Sequence, residues 1–203
     1  MPTPSKLLFL PGASGSTGFW APLANQLVSP ADKVIIGYPG FGAEPATPDV
    51  NNFNDLVRFV VSHIDQPTAL IAQSMGGVLA ICAALEKPDL VTHLVLSVTS
   101  GGINTEGLGM RDWRDGFLEA NRSIPDWFVS FESDLTSELG RISQPVLLLW
   151  GDADPFSPVA VGHRILDVLP DARLHVVAGG GHDLANVHAR DLAPIVDAHL
   201  SQI

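Results

Sequence analysis

Short, almost wholly apolar runs alternate along this chain with longer stretches whose apolar residues recur every three or four positions. The short runs predict strands near 6–11, 33–37, 68–73, 91–97, 145–150 and 173–178, because a strand buried on both faces shows no polar alternation. The longer stretches carry one apolar stripe each and predict helices near 18–28, 50–64, 75–87, 158–169 and 186–201. Strand alternating with helix implies a parallel sheet covered on both faces, an α/β fold of about six strands. The rhythm breaks once. After Leu94-Val95-Leu96-Ser97 about 45 residues, 100–144, precede the next apolar run, and an insertion of that length is expected to be functional. The sequence carries no internal repeat or low-complexity tract, and one domain over 1–203 is expected, with the insertion folded over it.

Between the strand ending near Gln73 and the helix starting near Met75 stands a single serine, Ser74. Strand, tight turn and helix are the context of a nucleophile elbow, which needs small residues two positions to either side; Ala72 and Gly76 satisfy this. A serine hydroxyl attacks only when a neighbouring base removes its proton, and that base must be held in one tautomer by a third group. Two later segments suit these tasks. Pro145 to Trp150 runs into the turn-rich loop Gly151-Asp152-Ala153-Asp154-Pro155-Phe156-Ser157-Pro158, which brings two carboxylates to a strand's carboxyl end. The run ending at Ala178 continues into Gly179-Gly180-Gly181-His182-Asp183, where three glycines leave the backbone free to carry His182 toward a partner. In parallel sheets functional groups gather at the carboxyl ends of the strands, where all three candidates fall.

Five segments in this order resemble the α/β-hydrolase superfamily, and among its members the small, cofactor-free serine ester hydrolases with a helical lid. Phe9-Leu10-Pro11-Gly12-Ala13-Ser14-Gly15-Ser16, with Trp20 downstream, is similar to the oxyanion loop, although Pro11 replaces the usual His. Tyr38-Pro39-Gly40-Phe41-Gly42 is similar to the Asp-x-Pro-Gly-x-Gly turn without its leading Asp. Ala72-Gln73-Ser74-Met75-Gly76 resembles the elbow, with Ala where Gly is usual. Trp150-Gly151, Asp154 and Pro158 match the acid loop, and Gly181-His182 the histidine loop. The resemblance implies a minimal α/β hydrolase without the N-terminal hairpin of larger members. It assigns the triad to Ser74, Asp154 and His182, preferring Asp154 over Asp152 by its spacing to Gly151 and Pro158. It also implies an oxyanion hole from the backbone N–H groups of Ala13 and Met75, the second belonging to the residue after the nucleophile. Hydrolysis of a small carboxylic ester or related acyl compound through an acyl-enzyme is the implied reaction. Carbon–carbon bond hydrolysis, lyase or perhydrolase chemistry on the same triad, and ligand binding without turnover, stay open as alternatives.

The insertion should act as the lid. Trp113, Phe117, Trp127, Phe128 and Phe131 lie in it, and some of them are expected to line an apolar substrate pocket, with Trp127 and Phe128 the densest pair. Its charge is mostly acidic, Glu106, Asp112, Asp115, Glu119, Asp126, Glu132, Asp134 and Glu138 against Arg111, Arg114 and Arg122, and reads as a solvated face. The net charge of −11 disfavours nucleic-acid partners. No apolar run approaches the ~18 residues of a membrane span. Without an export signal, and with Cys82 as the single cysteine, a cytoplasmic location is expected. Cys82 lies on the apolar stripe of the helix after Ser74 and reads as core filler. His63, His93, His163, His175, His188 and His199 are scattered without metal-ligand spacing and are expected at the surface or at helix ends, so no metal is implied. Gly12-x-x-Gly15 lacks the spacing of a dinucleotide fingerprint, and no cofactor is implied. The spacing of residues does not speak to the oligomeric state or to the identity of the ester.

Overall fold

The side chains of neighbouring strand residues divide between two separate cores. Leu8, Leu10, Leu70, Ala72, Leu94, Leu96, Leu148 and Trp150 belong to one, and Leu7, Phe9, Ala69, Ile71, Val95, Leu147 and Leu149 to the other. Since successive residues of a strand point to opposite faces, a sheet so apolar must be covered twice. The computed structural model, which describes residues 2–121 and 124–202 and of Asp115 the backbone alone, shows how. Strands β1 (Lys6–Leu10), β2 (Asp32–Ile35), β3 (Thr68–Gln73), β4 (Val91–Ser97), β5 (Val146–Gly151) and β6 (Ala172–Val177) form one sheet in the order β2-β1-β3-β4-β5-β6. Every pairing is parallel. Helices α2 (Phe53–Ser62), α3 (Met75–Glu86) and α6 (Val159–Leu166) feed the first core. Helices α1 (Ala21–Gln26), α7 (Leu184–Val187) and α8 (Ala189–Leu200) feed the second.

The six strands fall within two residues of their predicted limits, while two helices differ in kind. The first begins as a 3-10 turn, Thr17–Trp20, before α1. The last is broken at His188, whose N–H closes α7 on the Leu184 carbonyl (2.8 Å) while its own carbonyl accepts the Leu192 N–H of α8 (3.0 Å). Helix α2 starts only at Phe53 because Asn52 caps it, its side-chain oxygen accepting the Asp55 N–H at 3.0 Å.

The insertion between β4 and β5 contains α4 (Arg114–Ala120), α5 (Asp126–Val129) and a 3-10 turn, Leu139–Arg141. Its predicted cation Arg122 lies outside the described residues. Aromatic contacts fasten it: Phe131 stacks on Phe53 at the start of α2, centroids 3.8 Å apart, and Phe128 stands edge-on to Phe41 at 5.5 Å. No helix among the described residues is long and apolar enough to cross a membrane.

Of the histidines expected at the surface or at helix ends, His93 lies in a strand instead, and His199, although at a helix end, is buried as well. His93 on β4 and His199 in the last turn of α8 are buried, their rings edge-on at 5.3 Å. They are covered because α8 packs back across the start of β4, a tertiary contact that spacing along the chain does not reveal. Their Nε2 atoms meet the Gln202 and Leu94 carbonyls at 3.0 Å each, while both Nδ1 atoms lack a partner among the described residues.

Candidate active site

Strand order reverses between β1 and β3, since the chain leaves β1 for β2 on one side and β3 for β4 on the other. A crevice forms at such a switch point, outside the carboxyl ends of the strands. The loop after β1 and the turn after β3 therefore face one another. Ser74 occupies that turn with φ 54° and ψ −120°, a strained conformation for any residue with a Cβ. Two glycines make room for it. A Cβ on Gly76 would lie 2.5 Å from the Leu10 carbonyl oxygen, and one on Gly77 would lie 2.4 Å from Thr99 Oγ1. Helix α3 can thus start hard against β1 on one side and the end of β4 on the other. Ala72, where the elbow usually has glycine, is buried in the first core, so its methyl group is accommodated.

The loop after β1 is held from behind. Trp20 Nε1–H donates to the Leu10 carbonyl at 3.0 Å, and the buried Tyr38 hydroxyl donates to the Pro11 carbonyl at 2.9 Å. Burial raises the Tyr38 pKa far above the ordinary phenol value, so the hydroxyl stays a donor. These contacts give Trp20 and Tyr38 structural roles in that loop. Ala13 and Met75 both border the crevice, and among the described residues neither amide donates a hydrogen bond to another protein group.

The two loops at the ends of β5 and β6 are stitched together. Gly180 presses so closely on Gly151 that a Cβ there would lie 2.0 Å from the Gly180 carbonyl oxygen, which accepts the Ala153 N–H at 3.0 Å. The exposed Asp152 accepts the Gly179 N–H at 2.6 Å and makes no hydrogen bond to His182. Asp154 does: its Oδ2 lies 2.7 Å from His182 Nδ1, while Oδ1 accepts the Phe156 N–H at 2.8 Å. The Asp154 side chain is fully buried. An ionised carboxylate only accepts, so the arrangement puts the imidazole proton on Nδ1 and leaves Nε2 as the basic nitrogen. Phe156 stands edge-on to the His182 ring at 5.5 Å, and Gln73 Nε2–H donates to the His182 carbonyl at 3.2 Å. Ser74 and His182 border the same crevice without a hydrogen bond between them; such bonds are commonly loose until substrate binds.

The crevice encloses about 1500 Å³, above the ~300–1,000 Å³ usual for small-ligand sites. Trp113, Phe117, Phe128 and Phe131 from the insertion border it, and Trp127 does not. The Trp127 ring instead stands edge-on to Phe41 at 5.8 Å. Part of the insertion's charge also borders the crevice, Arg111, Asp112, Arg114, Glu132 and Asp134, beyond the solvated face expected. Sequence reasoning did not find Phe53, Gln73 or Phe156. Gln73 and Phe156 could have been suspected from their places beside Ser74 and Asp154, whereas Phe53 reaches the crevice only through the packing of α2. Cys82 is half-buried against the first core, and burial pushes its thiol up to about 11, which removes it as a competing nucleophile. Among the described residues no three His, Cys, Asp or Glu side chains come together as metal ligands.

A fully parallel sheet, a strained serine at its switch point and a histidine backed by a buried carboxylate define the architecture of a hydrolase. The chain belongs to the alpha/beta hydrolase family, whose sequence pattern matches residues 7–195. It is 24% identical over 230 residues to a 2-hydroxy-6-oxononadienedioate/2-hydroxy-6-oxononatrienedioate hydrolase of Cupriavidus pinatubonensis, covering 89% of this chain and 80% of that one. It is 25% identical to a pimeloyl-[acyl-carrier protein] methyl ester esterase of Chromobacterium violaceum, covering 90% and 89%. Its structure superposes on that of an esterase from Exiguobacterium antarcticum with a TM-score of 0.78 at 15% identity, over 100% of this chain and 94% of the other.

Proposed function

We propose that this hydrolase cleaves a carboxylic ester or related acyl compound by transferring the acyl group to Ser74 and then to water. The observation that carries the reading is the 2.7 Å contact between His182 Nδ1 and the buried Asp154, on the same crevice as the strained Ser74. In the proposed reaction Ser74 Oγ attacks the carbonyl carbon as His182 Nε2 takes its proton. The tetrahedral oxyanion accepts hydrogen bonds from the Ala13 and Met75 amides, which have no competing acceptor among the described residues. His182 returns the proton to the leaving alcohol, and the acyl-enzyme is hydrolysed by water that His182 activates in turn. Asp154 holds the tautomer throughout and stabilises the imidazolium. The apolar rings from the insertion take the acyl group and exclude water. The substrate is a small molecule, and neither nucleic acid nor a membrane is needed to present it.

Carbon–carbon bond hydrolysis by the same three side chains is the second reading, favoured by the dioate hydrolases among the relatives. Fluorophosphonate labelling of Ser74 tests the shared nucleophile. Initial rates on p-nitrophenyl esters of graded acyl length, set beside 2-hydroxy-6-oxononadienedioate, then separate the two. Ester turnover that exceeds dioate turnover supports the first reading, the reverse supports the second, and an unlabelled Ser74 rejects both.

A further inference from the structure

Among the described residues only two other than glycine hold a positive φ, Ser74 at 54° and Val98 at 42°. A β-branched residue in that region is a true outlier, and such strain persists only where the surroundings over-determine it. Val98 follows β4 directly, its N–H donating to the Leu149 carbonyl of β5 at 3.1 Å. The bend it makes carries the next residue, Thr99, beneath the turn that holds Ser74. Thr99 is fully buried. Its Oγ1 donates to the Ser74 carbonyl at 2.6 Å and accepts the Gly101 N–H at 3.0 Å. It lies so close to α3 that any side chain at Gly77 would overlap it.

The other end of Thr99 faces the acid loop. Its carbonyl accepts a hydrogen bond from Ser157 Oγ at 3.2 Å, and the same oxygen of Ser157 accepts Trp150 Nε1–H at 3.2 Å. Ser157 and Trp150 are buried. Ser157 follows Phe156, whose N–H is bound by Asp154. A buried polar chain therefore runs from the Asp154 loop, through Ser157 and Thr99, to the backbone of Ser74. Every hydroxyl in it both donates and accepts, a fully satisfied arrangement that rigidifies what it joins.

We propose that Thr99 is a positioning residue, which locks the Ser74 turn to the Asp154 loop and so sets where the nucleophile stands relative to the histidine. The inference rests on the reading of Ser74, His182 and Asp154 given above. Losing the lock should affect the chemical step more than substrate binding, because small misplacements of a reacting group are costly.

The test compares Thr99→Val, which keeps shape and loses the hydroxyl, with Thr99→Ser, which keeps the hydroxyl. The readouts are the rate of fluorophosphonate labelling and the kcat and KM for p-nitrophenyl acetate, with circular dichroism to confirm folding. Thr99→Val should lower labelling rate and kcat by about tenfold to a hundredfold with KM nearly unchanged. Thr99→Ser should recover most of that loss, and Ser157→Ala should show a smaller loss in the same two quantities. A folded Thr99→Val protein labelled at the wild-type rate, or a loss confined to KM, overturns the proposal. Should Thr99→Val fail to fold, Ser157→Ala with wild-type kcat overturns it instead. Failure of the underlying reading is separately visible, because the wild-type protein would then be unlabelled or Ser74→Ala would still be labelled.

Discussion

Gly151 shows how a residue with no chemistry can hold the site together. A Cβ on it would lie 2.0 Å from the Gly180 carbonyl oxygen, so Gly151→Ala should push the histidine loop away from Asp154 and lower kcat, while a surface substitution such as Asp152→Asn should cost little. The carboxylates should separate sharply. Asp154→Asn, with its amide oxygen kept by the Phe156 N–H, would turn an NH2 donor toward Nδ1, and an activity loss of about 10⁴ is expected from the wrong tautomer; activity assays on the two variants side by side check the ranking. Ser74→Ala should abolish labelling and lower kcat by about a millionfold, the scale seen when a triad loses its nucleophile, with the circular dichroism spectrum unchanged. The preference for Asp154 over Asp152 was legible through the resemblance of its spacing to Gly151 and Pro158 to the family's acid loop. The reason for it was not, because only the folded loops show Asp152 spent on the Gly179 amide and Asp154 turned inward. Thr99 was illegible altogether: nothing about a threonine after a strand indicates that its hydroxyl lies under a serine 25 positions away.

At the scale of elements, the strands were readable because burial on both faces leaves them almost wholly apolar, and helix α2, which starts behind the capping Asn52, obeys local rules as well. The insertion was readable as a cover but not in detail. Its aromatics are spaced alike whether they face the crevice or the body, and the path of a segment with little regular structure decides between the two. Trp127 and Phe128 are neighbours with different roles for that reason, one leaning on Phe41 and the other also reaching the crevice. Phe131→Ala and Phe128→Ala should shift the preference among acyl lengths by about 1–3 kcal/mol, measured as ratios of kcat/KM. Trp127→Ala should leave that preference in place. A preference altered by Trp127→Ala and untouched by the two phenylalanines would reverse the assignment.

For the molecule as a whole, the buried His93 and His199 link stability to acidity. Both pKa values are lowered, first of all by burial; that of His199 falls to about 4, with His93 and Arg173 reinforcing the shift while the Leu94 carbonyl and Asp171 oppose it. Protonation would place an N–H on Nδ1, where neither ring has a partner among the described residues. An unfolded histidine takes its proton near pH ~6.5, so as pH falls below that value the unfolded chain binds protons that the folded one refuses. Stability should therefore be full above pH ~6.5 and decline steadily below it, continuing toward pH 4 for His199. Thermal melts from pH 8 to pH 4.5 check this, and His199→Gln should flatten the decline.

The all-parallel order of the sheet also governs when the protein becomes reactive during its own synthesis. Parallel neighbours cannot zip as local hairpins, and each pairing waits for an intervening crossover. Ser74 emerges from the ribosome well before β5 and β6 exist, so a nascent chain carries the proposed nucleophile without the proposed base. Only when the edge strand β6 docks on β5 do Asp154 and His182 meet. On the proposed mechanism competence follows the docking of β6, and in refolding experiments fluorophosphonate labelling should return with the slowest phase, after the tryptophan fluorescence has largely recovered.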